Sequence, residues 1–296
     1  MSSAFAYRLG RSPRTGRRHE AATVSALMST YAGESAKNLA ESLESVYAQT
    51  VVPDQLVLVV DGPIDDSQHE IIAQYRMDRR IAEATVVQLA SNVGLARALN
   101  AGLERCTGQF VMRMDSDDRC DPSRLELQIN YFKNHPEFDI VTSWCTEFFD
   151  DGTTTVLKSS PVGHDAVVRA LRWRNVLVHP SLLIRTETLR GVGGYRSDFG
   201  LLEDYDLYIR LVLSGAKFHV IPKVLVQMRI SISQRRRRGG LRYCMNEIMF
   251  RFFCFRTGFL SAKEFFLVTC FYAVFRLAGW VARDRLYVLA RVSTPS

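Results

Sequence analysis

From Thr23 onward the apolar positions fall into two alternating rhythms. VSALMS (24–29), QLVLVV (55–60), TVVQLA (85–90) and FVMRM (110–114) are short, nearly uninterrupted apolar runs of strand length. Runs without a polar face are what strands buried on both sides of a sheet require. Between them, residues 34–49, 66–80 and 93–106 carry apolar side chains at three- and four-residue spacing, which predicts helices. The resulting βαβαβαβ order implies an α/β fold with a doubly wound, mainly parallel sheet and right-handed crossovers. Ligands of such sheets sit beyond the carboxyl ends of the strands. The loops after the first, second and fourth strands carry Thr30-Tyr31, Asp61-Gly62 and Asp115–Asp118, so these are expected to meet at one crevice.

The second half is less regular. A helix over 122–134, a strand over 139–144, a hairpin over 147–158 turning at Asp150-Asp151-Gly152, and a helix over 163–173 are expected. LVHPSLLIR (177–185) reads as a strand interrupted by Pro180, and EDYDLYIRLVLSGA (203–216) as a helix with acids in its first turn, where the macrodipole favours them. Residues 216–230 supply two further strands, and from about 234 long aromatic, Arg-rich helices take over.

Charge divides the chain the same way. Residues 1–20 hold five Arg against one Glu, and residues 229–296 hold twelve Arg and one Lys against three acids, so the net +7 conceals an acidic middle. Three segments follow: a basic leader (1–22), expected to be disordered, a catalytic-sized domain (23–232) and a basic, aromatic helical tail (233–296). The leader has no apolar core of a secretory signal, and no stretch reaches 18 uninterrupted apolar residues. Six cysteines without a CxxC pair argue against zinc or a disulfide framework and fit reduced thiols in a cytosolic compartment.

The chemistry concentrates in VMRMDSDDRCDP (111–122). Three carboxylates crowded at a strand end repel one another unless a cation lies between them. Carboxylate oxygens suit Mg²⁺ or Mn²⁺, and Mg²⁺ characteristically combines one or two carboxylates with substrate phosphates. The alternative use is structural, with Asp118 or Asp121 capping the following helix. An aspartyl-phosphatase motif is excluded, because Arg119 stands at its last position and the cluster follows the fourth strand.

The motifs ALMSTYAGE, VVDGP, NVGLARALNAGL, RMDSDD and GGYRSDFGLLEDYDLYIRL, in that order, resemble the family-2 glycosyltransferases of GT-A fold over nearly all of residues 23–230. Within that family the chain is most similar to bacterial exopolysaccharide transferases of the amylovoran type, whose MR…RRGG element matches Met228-Arg229 and Arg237–Gly240. The resemblance implies a base pocket of Thr30, Tyr31 and Asp61, and nucleotide contacts from Asn92, Gly94 and Arg97, although Asn92–Gly94 also reads as plain turn chemistry. It implies Asp115 on the ribose, Asp117 on the metal, Asp118 as a further, water-mediated ligand, and Arg229 on diphosphate oxygens. Asp204 is implied as the base that deprotonates the acceptor hydroxyl in an inverting transfer, with Glu203 as the other candidate. His179 is either a further metal or diphosphate contact or a structural histidine. Lacking QxxRW and multiple spans, the chain departs from processive members, which favours addition of a single sugar.

The expected donor is a UDP- or GDP-sugar, and the expected acceptor a lipid-linked saccharide at the cytoplasmic face of the cell membrane. Two rivals remain. A sugar nucleotidyltransferase would carry a Gly-rich basic first loop, where this chain has STYAGESAKN. A nucleic-acid-binding protein would use Arg235–Arg238, but the acidic middle carries no recognised binding module, so no nucleic-acid partner is expected. The tail is expected to dock reversibly on an anionic membrane, released by high salt or carbonate. FFLVTCFYAVF (265–275) is too short to span, and extending it buries Arg276.

Overall fold

The computed structural model describes residues 22–149, 154–230 and 240–277. The basic leader, the tip of the expected 147–158 hairpin and the Arg235–Arg238 run lie outside these residues.

Nine strands form one sheet in the order β3-β2-β1-β4-β8-β6-β9-β5, with β7 paired on β6. β1 (Val24–Thr30), β2 (Gln55–Val60), β3 (Glu83–Gln88) and β4 (Phe110–Arg113) are mutually parallel. They alternate with α1 (Ala36–Tyr47), α2 (Asp66–Met77) and α3 (Leu95–Leu103), as the apolar rhythm predicts. Beyond β4 the sheet is mixed. β8 (Leu183–Arg185) is antiparallel to both β4 and β6 (Ile140–Phe148), whereas β9 (Phe218–Arg229) runs parallel to β6.

Side chains along the inner strands divide the core in two. Leu27, Val57, Val59 and Val111 point to one face, against α3, α5 (His164–Leu171), α6 (Thr186–Gly191) and α7 (Glu203–Leu213). Ala26, Met28, Leu58 and Met112 point to the other, against α1, α2 and α4 (Arg124–Asn134). Period-two alternation inside strands without polar positions is what a sheet covered on both faces demands.

Several boundaries differ from expectation. LVHPSLLIR is a strand only at 183–185. His179–Ser181 form a 3₁₀ turn with Pro180, which has no N–H for a ladder bond. Residues 218–229 form one long strand rather than two, and register shifts beside Ser143 and Trp144 absorb the irregularity. β3 begins two residues early, and the two-residue β5 (Arg119–Cys120), which returns the chain from the acidic turn onto β9, has no apolar signature. β7 (Thr154–Lys158) pairs antiparallel with β6, as a hairpin requires.

The C-terminal helices α8 (Leu241–Arg256) and α9 (Ala262–Leu277) pack against each other and onto this domain. Tyr243, Phe250 and Cys254 of α8 join the same buried cluster as α7. Arg251 donates to Tyr205 Oη at 3.0 Å, and Arg172, just after α5, pairs with Glu264 of α9 at 2.9 Å. No helix among the described residues is long and apolar enough to cross a membrane. Arg276, expected to resist burial, is largely buried and pairs at 2.7 Å with Glu247, which also holds Arg251.

Candidate active site

The crevice forms at the carboxyl ends of β1, β2 and β4. Thr30 is fully buried at the end of β1, while Tyr31, one residue on, is exposed. Gln68 Nε2 donates to the Tyr31 carbonyl at 3.1 Å, tying this turn to the start of α2.

Asp61 closes β2 and serves the next loop. Its Oδ1 accepts from Val93 N at 2.7 Å and its Oδ2 from Gly94 N at 3.0 Å. It thereby supplies the cap that Gly94, at φ 87°, has no side chain to provide for α3. Any contact from Asp61 to a base would use the remaining lone pairs of these oxygens. Asn92 Nδ2 donates to the Asp61 carbonyl at 3.3 Å, and a Cβ on Gly62 would come within 2.6 Å of Asn92 N. Asn92 and Arg97 are exposed. The hydrogen bonds of 92–94 are those that the plain turn reading expects.

The acidic turn follows β4. Asp115, Asp117 and Asp118 each offer a carboxylate oxygen, and these oxygens lie within 4.8 Å of one another. Burial, and then the charge of Asp115, push the Asp117 carboxyl up from its usual range. Asp118 is raised by deeper burial and by Asp117 and Asp115. Repulsion this close is relieved by a cation, and three hard oxygens are the donor set for Mg²⁺ or Mn²⁺. The capping alternative fares less well for Asp118, whose Oδ1 accepts from Arg229 N at 2.7 Å across the sheet. Asp121 does turn to the helix side, accepting from Ser123 N at 2.9 Å.

Arg229 lies beside the cluster. Its Nε donates to the Asp117 carbonyl at 3.0 Å, its guanidinium pairs with Glu41 at 2.7 Å, and its face lies over the Phe148 ring. His179 lies outside the carboxylate group, with its Nε2 3.1 Å from Tyr195 Oη. Burial and the positive charge of Arg113 hold His179 well below the usual histidine range, so it stays neutral.

Glu203 and Asp204 occupy the first turn of α7. Asp204 Oδ1 accepts from Tyr205 N at 2.6 Å, and Oδ2 accepts from Asn175 Nδ2 at 2.7 Å, which fixes the carboxylate plane. Burial pushes the Tyr195 hydroxyl up, Arg113 opposes this, and the charges of Asp115, Asp204 and Glu203 add to it.

Three residues that matter here were given no role from the sequence. Arg113 is fully buried at the end of β4 and pairs with Asp115. A lone cation inside FVMRM was its signal. Tyr195 and Asn175 gave no signal, since an aromatic after Gly-Gly and an Asn in a loop have many structural uses.

Comparisons with known proteins agree with this fold. The sequence profile of Glycosyl transferase family 2 matches residues 25–190. The chain belongs to glycosyltransferase family 2. An amylovoran biosynthesis glycosyltransferase of Erwinia amylovora, AmsE, is 33% identical over 247 residues, covering 82% of this chain and 91% of that protein. An Escherichia coli UDP-Gal:alpha-D-GlcNAc-diphosphoundecaprenol beta-1,3-galactosyltransferase is 32% identical over 244 residues, covering 82% and 87%. Among solved structures, S. aureus TarS in complex with UDP-GlcNAc superposes with a TM-score of 0.63 at 18% identity, over 82% of this chain and 69% of that one. The mannosyltransferase PcManGT of Pyrobaculum calidifontis, in complex with GDP-Man and Mn²⁺, gives 0.61 at 18% identity over 93% and 76%. These structural likenesses establish the GT-A fold. A family-2 glycosyltransferase is neither a nucleotidyltransferase nor a nucleic-acid-binding module, so both rival readings give way.

Proposed function

We propose that this family-2 glycosyltransferase transfers one sugar, with inversion, from a UDP- or GDP-sugar to a lipid-linked saccharide during exopolysaccharide, capsule or O-antigen assembly at the cytoplasmic face of the cell membrane. The observation that carries the reading is the Asp115–Asp117–Asp118 group at the strand end, whose carboxylate oxygens lie within 4.8 Å of one another, beside a sheet that also bears Glu203 and Asp204 in the first turn of α7. An inverting transfer needs a site for the departing diphosphate and a base for the incoming hydroxyl, on opposite sides of one sugar. The lipid-diphosphate acceptor named for the E. coli relative, and the nucleotide sugars bound by TarS and PcManGT, support the substrate classes.

The residues divide the work. Thr30, Tyr31 and Asp61 border the space for the base, while Asn92, Gly94 and Arg97 face the nucleotide. Asp115 meets the ribose, held from behind by its ion pair with Arg113 and by Ser42 Oγ, which donates to its backbone carbonyl at 2.6 Å. Asp117 and Asp118 would hold Mg²⁺ or Mn²⁺, which supplies Lewis-acid stabilisation of charge on the leaving diphosphate. Arg229 lies within reach of the same oxygens. Asp204, oriented by Asn175, takes the proton of the acceptor hydroxyl as that oxygen attacks the anomeric carbon. His179 keeps Tyr195 in place.

The test is a panel of UDP- and GDP-sugars with Mg²⁺ or Mn²⁺ and a polyprenyl-diphosphate saccharide acceptor. The expected product carries one added sugar whose anomeric configuration, read by NMR, is opposite to the donor's. A product of retained configuration would overturn the assignment of Asp204, and transfer that survives chelation would overturn the role of Asp117 and Asp118.

A further inference from the structure

The two C-terminal helices carry a surface that the carboxylate crevice does not use. α8 and α9 have sixteen exposed positions between them. Large apolar side chains take most of these, at alternating four- and three-residue steps: Met245, Met249 and Phe252 on α8, and Leu267, Phe271 and Val274 on α9. That spacing lays one stripe along each helix. No carboxylate holds any of the sixteen positions, because Glu247 is buried and Glu264 is turned to Arg172. The exposed cations are Arg242, Arg256 and Lys263, each within two residues of a helix end.

The seam between the helices explains this distribution. Arg251 and Arg276 both turn inward to Glu247, wrapped by the rings of Tyr205, Tyr243 and Tyr272. The charges that look incompatible with an apolar environment in the sequence are neutralised inside, and the outer face is left apolar at its centre and basic at its ends.

We propose that α8 and α9 lie in the plane of a bilayer surface, with the apolar stripes among the acyl chains and Arg242, Arg256 and Lys263 at anionic headgroups. A lipid leaflet offers chains and phosphates in this layered order, and a cation-flanked face without acids is complementary to it. The sixteen-residue α8 is about 24 Å long, shorter than a bilayer core of about 30 Å, which suits lying in the interface. With two arginines withdrawn into the seam, apolar insertion carries the binding and salt does not release it. This surface is separate from the crevice, so its test needs no transfer assay.

The experiment is flotation of the full chain with phosphatidylcholine vesicles containing phosphatidylglycerol, in low and in molar salt. The wild type is expected to float in both, and the variant combining Phe252→Gln, Leu267→Gln and Phe271→Gln to partition roughly tenfold or more weakly, with an unchanged thermal midpoint. Cys270 is exposed beside Phe271 while the other five cysteines are buried, so an environment-sensitive dye on it reports directly. Its emission should shift to the blue when vesicles are added. Salt release of the wild type, equal flotation of the variant, or no dye shift each overturns the proposal. A concentration-dependent dimer that the triple variant abolishes would assign the face to a second copy and overturn it as well.

Discussion

Asn100 and Tyr195 exchange a closed pair of hydrogen bonds: Asn100 Nδ2 donates to the Tyr195 carbonyl at 2.8 Å, and Tyr195 N donates back to Asn100 Oδ1 at 2.8 Å. Helix α3 is thus bolted to the loop that delivers Tyr195 to His179. Gly194, at φ 65°, packs on the same amide, where a Cβ would run into Asn100 Oδ1. Asn100→Ala leaves both backbone groups of Tyr195 unpaired in a half-buried setting, at a cost of about 1–3 kcal/mol. Gly194→Ala adds a strained left-handed backbone and a clash. Both variants are expected to unfold at lower denaturant concentration and to lose transfer in greater proportion than donor binding. Denaturant titration beside calorimetric donor binding checks this, and unchanged stability of Asn100→Ala would show that the bolt is slack.

Asp117→Asn tests the acidic turn. Removing one of three crowded carboxylates relieves repulsion, so the metal-free protein should keep or slightly gain stability. Turnover should fall by several orders of magnitude, and Mn²⁺-dependent nucleoside diphosphate binding should disappear. Calorimetric binding that remains Mn²⁺-dependent would move the cation elsewhere.

The α/β order and the meeting of three strand-end loops were legible because buried parallel strands have an unmistakable apolar signature. The Asp115–Asp118 cluster stood out because crowded carboxylates need a reason, while the separate roles of its members came only from the resemblance. The second half of the sheet was harder to read. β8 is three residues long beside a proline turn, β5 is two residues, and β9 hides a register shift, so none shows a clean period. Asn175 and Tyr195 depend on contacts distant in sequence, such as that of Asn175 with Asp204, 29 positions further on, which no local pattern encodes. Arg276 misled for the same reason. Its partner Glu247 lies on another helix, so the sequence showed a stranded charge where the fold has a paired one.

Asp204 and Glu203 separate by substitution. Asp204 is held by Asn175 and its own backbone turn, so Asp204→Asn is expected to keep the fold and donor affinity while transfer falls by about 10²–10⁴-fold. Glu203→Gln should lose far less. Asn175→Ala frees the Asp204 carboxylate plane and should lower kcat with little change in the donor KM. A dead Glu203→Gln beside a near-wild-type Asp204→Asn would exchange the two roles.

His179 contributes to the pH dependence of stability. Its folded-state pKa lies well below the ordinary value because of burial and Arg113, whereas in the unfolded chain it titrates near about 6.5. Below that pH the unfolded state binds a proton that the folded state refuses, so unfolding is favoured as the solution is acidified. The contribution is fully present above about pH 6.5 and is lost at up to about 1.4 kcal/mol per pH unit as pH falls towards the folded value. His179→Gln keeps a polar partner for Tyr195 Oη but has nothing to titrate. The stability difference between wild type and variant, from urea unfolding at steps between neutral and mildly acidic pH, should therefore shrink or reverse on acidification and stay flat above neutrality. A constant difference across that range would mean that His179 titrates in the folded protein as it does in the unfolded chain, and a difference that grows on acidification would mean that its contact with Tyr195 is made by an imidazolium.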